Sequence, residues 1–214
     1  MKQKFKREVL TTTKTVNKIV KMYNQSPNKE GLTWYTEAKE FAETMSMLFM
    51  YDNPTDFLAD DDWDIKVTKV CGVIAALSPL KSWEENKKIT ISFLDKGISN
   101  HTKVMTNKAK AIMQSDGDIS TISDILSGSK ITNFFLNIVD PNGSTGVTID
   151  RHAVSLAVGR ELQGDALQMS IKQYNFFVNA YRIASAKLGV KPLQVQAVTW
   201  VEWRKHKKKL REKE

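Results

Sequence analysis

ISDILSGSKITNFFLNIVDPNGSTGVTIDRHAVSLAVGR, residues 122–160, decides how the rest of the chain is read. A short turn containing Gly128 is followed at once by Lys130 and an apolar helix. Pro141-Asn142-Gly143 breaks that helix. A second helix then opens on Asp150 and runs over Ala153 to Arg160. Two ionisable groups, Lys130 and Asp150, thus stand at the starts of two helices twenty positions apart, and no other pair in the sequence is so well placed for chemistry. Asp150 is equally a good N-cap, because its carboxylate can accept a backbone N–H, and capping is compatible with catalysis. Lys130 alone reads as a surface lysine or a phosphate contact.

Outward from this stretch the chain continues in helices. Residues 8–24 carry Val9, Val16, Ile19, Val20 and Tyr23 mostly on one face. A helix over 33–51 has its stripe in Phe41, Met45, Leu48 and Phe49. The acidic run at 57–64 matches no calcium loop and reads as a solvated connection. IKVTKVCGVIAAL, residues 65–77, is a buried helix stopped at Ser78-Pro79. Ser82 with Glu85 forms a capping-box pattern for a helix ending at Lys96-Gly97. Helices over 104–114 and 120–126 precede the central stretch. After it come one over 170–188, closed by Gly189, and a last one opened by Pro192. In that last helix Leu193, Ala197, Trp200 and Val201 are expected to point inward. No run alternates with period two, so the expectation is an all-α fold of roughly ten helices without internal repeats.

The net charge of +8 is clustered, which favours a polyanionic partner, most often nucleic acid, over a merely solvated surface. A single cysteine, Cys71, sits in an apolar run. It offers neither an internal disulfide nor, alone, a metal or iron–sulfur site, and it fits a reducing, cytoplasmic setting. The first residues, MKQKFKREVL, carry charges where a signal peptide needs an apolar core. No apolar run approaches the ~20 residues of a membrane span.

The order of motifs resembles the helix–hairpin–helix DNA glycosylases of the endonuclease III type. GVIAALSPLKSWEENKKIT, residues 72–90, is similar to that family's opening helix, Leu-Ser turn and Asn-Lys-bearing helix, here Leu77-Ser78 and Asn86-Lys87. NKAKAIM at 107–113 is similar to its Lys-Ala helix, LSGSK at 126–130 to its hairpin, and VTIDRHAVSLAVGR to the turn and helix that carry its catalytic aspartate. The family hairpin usually reads Leu-Pro-Gly-x-Gly. Leu126-Ser127-Gly128-Ser129-Lys130 lacks the proline and one Gly-x step, and the four cluster-binding cysteines of some members are absent. AALSP, VTIDRHA and WVEWR also resemble blocks of small bacteriophage proteins, which points to a phage source and a host-cytoplasmic location.

The resemblance implies a two-lobed helical bundle. The hairpin-bearing catalytic lobe would span 64–160, and residues 1–63 and 161–214 would pack into the second lobe. It also implies base flipping into an interlobe cleft on double-stranded DNA, by a monomer with no cofactor and no metal. Cleaving a base from deoxyribose builds positive charge on the sugar, which Asp150 would stabilise while directing a nucleophile. At a helix start the dipole disfavours an ammonium ion, as burial would, so Lys130 could serve as an amine nucleophile and give AP-lyase activity. If Lys130 is turned away, Asp150 would direct water. Gly128 and Ser129 would offer backbone N–H groups to a phosphate, and Arg151 would pair with a phosphate or carboxylate. His152 orients a phosphate or is a structural histidine. Lys81, Trp83, Asn86 and Lys87 lie where family members fill the gap left by an extruded base, although Trp83 also suits core packing. The tail from Arg204 through Lys205, Lys207 and Lys208 to Lys213 would add salt-sensitive affinity or simply be a solvated helix end. Trp200 and Trp203 with Tyr181 read as core. The expected function is a DNA N-glycosylase. The alternatives are a phage base-hypermodification enzyme on the same scaffold and a non-catalytic DNA- or protein-binding module.

Overall fold

The structure, a computed structural model, describes residues 11–51, 62–162 and 169–211, apart from the side chains of Met50, Tyr51 and residues 208–211. These residues form ten α-helices and no strand: α1 Thr12–Gln25, α2 Trp34–Tyr51, α3 Trp63–Ala76, α4 Trp83–Lys96, α5 Lys103–Met113, α6 Ile119–Leu126, α7 Ser129–Val139, α8 Arg151–Val158, α9 Ile171–Leu188 and α10 Pro192–Arg211. The protein is all-α. The acidic run at 57–64 lies largely outside the described residues. No described helix is long and apolar enough to cross a membrane.

The chain divides into two compact units, Met1–Tyr35 with Gly143–Glu214, and Thr36–Asn142. Residues 143–160, grouped by sequence with the hairpin, therefore cluster with the terminal helices, because α8 packs against α1 and α10.

In the first unit α1 is capped by Thr11 and buries Val16, Ile19 and Tyr23, while Lys14, Lys18 and Lys21 remain exposed. α9 buries Tyr174, Phe177, Tyr181 and Ala184 at three- and four-residue steps. The last helix differs in phase from the expectation. Leu193 and Ala197 are buried, but Trp200 and Val201 are only half-buried, and Val195, Val198 and Trp203 complete the core. Tyr181 is wholly enclosed, and burial pushes its phenol upward. Side chains of this size stabilise the folded chain by about 1.5–3 kcal/mol each when buried.

In the second unit α3 is the central helix, with α4, α5, α6 and α7 packed around it. Val70, Cys71, Val73, Ile74, Ala75 and Ala76 are fully buried, which explains a run too uniformly apolar for a one-sided helix. Gly72 permits the close approach of α5 and α6: a Cβ there would lie 2.9 Å from Ile122 Cγ2 and 3.0 Å from Ile112 Cγ2. Burial raises the Cys71 thiol to about 12, so it is a packing group rather than a nucleophile. α4 carries the expected capping box. Ser82 Oγ accepts from Glu85 N at 3.3 Å, and Glu85 Oε2 accepts from Ser82 N at 2.9 Å.

Candidate functional site

Asp150 gathers the most elaborate polar cluster of the first unit. The extended segment leading to it is pinned by Tyr174, whose hydroxyl donates to Val147 O at 2.9 Å and accepts from Ile149 N at 3.3 Å. Tyr35, itself buried, is hydrogen-bonded to Thr148 Oγ1 at 3.1 Å and to Gln196 Oε1 at 2.9 Å. With residues 147–149 thus fixed, Asp150 becomes the N-cap of α8. Its Oδ1 accepts from Ala153 N at 2.8 Å and its Oδ2 from Trp200 Nε1 at 3.1 Å. The carboxylate is half-buried.

Basic and aromatic side chains neighbour the indole that clamps it. The Arg204 guanidinium lies 4.6 Å from the centre of the Trp200 ring. His152 meets that ring edge-on at 6.3 Å, and Trp34 does so at 6.3 Å. Exposed Arg151 donates through Nε to His152 Nε2 at 3.4 Å. Burial lowers the His152 pKa, and Arg151, Lys207 and Arg204 push the same way against the opposing pull of Asp150. Two of the tail lysines are internally paired, Lys205 with Glu30 at 2.6 Å and Lys207 with Glu161. The Lys208 side chain lies outside the described residues. An ionised carboxylate offers about four acceptor positions. With one donor on each oxygen, Asp150 keeps capacity to orient a water.

Lys130 belongs to the other unit. It occupies the exposed first turn of α7. The hairpin itself is a two-residue link. Ser127 (φ 46°) ends α6 and Gly128 (φ 92°) caps α7, with open space around the position of a Gly128 Cβ. Lys108 Nζ stabilises the link by bonding Leu126 O and, at 2.8 Å, Ser127 Oγ. Ser129 is exposed, and its carbonyl accepts from Asn133 Nδ2 at 2.7 Å.

The expectation that Asn86 faces DNA is corrected. The side chain is buried and donates through Nδ2 to Ile74 O at 3.1 Å. α3 ends at Ala76, and the Ser78 N–H goes to Ala75 O, so Ile74 O has no fourth-residue donor and Asn86 supplies one. Trp83 is half-buried and packs edge-on against Phe41 at 5.7 Å, with Lys87 Nζ 5.8 Å from its ring centre. Lys87 also pairs with Glu84 at 2.8 Å. Lys81 is half-buried.

Sequence reasoning passed over Leu80. It is 95% exposed and adopts φ +62°, in a turn where Lys81 N donates to Ser78 O at 3.2 Å. Proline at the second position and a left-handed third position suit a type II turn, whose third residue is normally Gly or Asn. Leucine there costs roughly 1–2 kcal/mol, and its exposed side chain recovers almost nothing by packing. The signal available beforehand was Ser-Pro-Leu-Lys where turn chemistry asks for Ser-Pro-Gly.

Fold and cluster define an all-α protein of two helical units with an aspartate clamped by an indole and a helix-start N–H. The chain belongs to a family of unknown function, DUF7178, whose match spans residues 1–207. No curated protein and no solved structure matches it.

Proposed function

We propose that the chain is a monomeric DNA N-glycosylase of the helix–hairpin–helix type, in which Asp150 directs a water at the sugar and stabilises the charge that develops as the base departs. The observation that carries this is the setting of Asp150: a half-buried carboxylate, oriented by two N–H donors and flanked by Arg151, His152 and Arg204. The guanidinium groups of Arg151 and Arg204 suit phosphates of a bound nucleic acid. Unit two, taken by itself, offers the exposed hairpin as a backbone-phosphate contact and Leu80 as an apolar wedge between bases. The exposure of Lys130 supports a phosphate contact rather than the amine nucleophile of a lyase.

The test is release of free base from duplexes carrying uracil, oxidised or alkylated bases, hydroxymethylated pyrimidines or an abasic site. Borohydride trapping runs alongside, with the native chain, Asp150→Asn and Lys130→Ala. Base release that falls about 100-fold or more in Asp150→Asn supports the proposal, this being the usual scale for a lost acid–base group. A trapped adduct lost in Lys130→Ala would restore the lyase. Turnover confined to hydroxymethylated pyrimidines without base release would indicate the hypermodification reading.

One observation favours a second reading. Both Asp150 oxygens already have partners within the chain, as a purely structural cap would. A non-catalytic DNA-binding module follows if no duplex is processed and Asp150→Asn binds DNA as the native chain does.

A further inference from the structure

We propose that His101 is a positioning residue, which holds the peptide unit ahead of Leu80 so that this leucine stays left-handed and projected. The purpose of the device rests on the wedge role proposed above; its geometry does not. Leu80 has no packing to keep it in place, being 95% exposed at φ +62°. What precedes it is firmly anchored. Leu77 is fully buried, and Ser78 Oγ donates to Ala75 O at 2.9 Å. The remaining freedom is rotation of the Pro79–Leu80 peptide plane, and the Pro79 carbonyl is where His101 acts.

His101 lies between α4 and α5. Its Nδ1 is 2.7 Å from Thr102 N, and its Nε2 is 2.9 Å from Pro79 O. The Thr102 N–H can only donate, so Nδ1 is the acceptor. A neutral imidazole then carries its proton on Nε2, which must donate to the Pro79 carbonyl. Two hydrogen bonds therefore select one tautomer and lock one peptide plane. Thr102 is also the N-cap of α5, accepting from Met105 N at 3.4 Å, so the ring is seated on a helix start rather than on a free loop. The device resembles a brace, joining the beginning of α5 to the strained turn after α3.

The test has two arms on the full chain. In the first, nitrogen NMR of the free protein should show His101 Nδ1 unprotonated and Nε2 protonated, and the amide–Hα coupling of Leu80 should report positive φ. His101→Phe, which keeps a ring but has no donor, should move Leu80 out of that conformation. His101→Gln, which restores a donor at the Nε2 position, should return it. Thermal melts identify any variant that fails to fold, and His101→Gln then carries the test. In the second arm, a duplex with 2-aminopurine beside an abasic site reports unstacking. The native chain and His101→Gln should raise its fluorescence, and His101→Phe should reduce that rise about fivefold, as Leu80→Gly does, because both remove the projected wedge. Unchanged Leu80 coupling in His101→Phe overturns the proposal. Correct coupling changes with no fluorescence rise from the native chain leave the brace standing and remove the wedge role.

Discussion

Trp200 Nε1 lies 3.1 Å from Asp150 Oδ2, and this single bond ties the start of α8 to the middle of α10. It also makes the indole more than a core side chain. It is the second of two donors that orient the carboxylate, and it carries Arg204 on its face.

Removing that donor should separate orientation from capping. Trp200→Phe leaves Ala153 N on Oδ1 but strips Oδ2 of its partner. The expected loss is about 1–2 kcal/mol, the range for a half-buried acceptor left unmade. Asp150→Asn is the informative companion. An amide has one oxygen, so it can satisfy Ala153 N or Trp200 Nε1 but not both. The double variant should therefore lose less than the sum of the single losses, by about 0.5 kcal/mol or more, as contacting partners do. Urea unfolding of the four proteins measures the coupling. Additive losses would mean that the bond contributes nothing.

His152 predicts the pH response. Its folded pKa is lowered, first by burial and then by Arg151, Lys207 and Arg204. The unfolded chain, with an ordinary histidine near about 6.5, therefore binds more protons in the window just below that value. The sign follows: this contribution to stability is present above the unfolded pKa and is lost as pH falls through the window. Urea midpoints taken between about pH 7.5 and 5 should drop for the native chain and flatten in His152→Gln. Arg204→Ala should move the NMR titration of His152 back toward its ordinary value.

Much of the fold was legible because its signals are local. Ser82 with Glu85, Pro192 and the apolar stripe of α1 each act within a few residues, and the structure has the capping box, a helix opening at Pro192 and buried Val16, Ile19 and Tyr23, while Val9 lies outside the described residues. Asp150 was legible as a cap for the same reason. Its partners were not. Trp200 sits fifty positions away, and helical spacing alone filed it with the core. Asn86 failed in the opposite sense, because its role is set by the unpaired carbonyl at Ile74, which only the packing of α4 on α3 reveals. The placement of 143–160 with the terminal helices is likewise a property of packing rather than of order along the chain.

Leu80 should show stability and function moving apart. Leu80→Gly relieves roughly 1–2 kcal/mol of left-handed strain and gives back roughly 0.5–1 kcal/mol through glycine's greater chain entropy. With a side chain 95% exposed there is little packing to lose. Unfolding stability should therefore rise by up to about 1.5 kcal/mol. Any unstacking of DNA by the chain should decline in the same variant. A variant both less stable and fully active would mean that Leu80 packs rather than projects.

Asn86 and Arg204 were both read from sequence as DNA contacts, and the structure assigns them opposite expected behaviour. Asn86→Ala removes the side-chain donor to Ile74 O at this helix end, a loss of about 1–3 kcal/mol in unfolding stability. Because the side chain is buried and uncharged, the dependence of DNA affinity on salt should be untouched. Arg204→Ala removes an exposed cation that lies over the Trp200 ring. Stability should fall by about 0.5–1 kcal/mol, the scale of an exposed cation–π pair. If the α10 tail grips phosphates, the slope of log affinity against log salt should shrink by about one unit. Fluorescence anisotropy with one duplex at several salt concentrations distinguishes them: a slope change in Asn86→Ala, or none in Arg204→Ala, would count against the proposed role of the α10 tail.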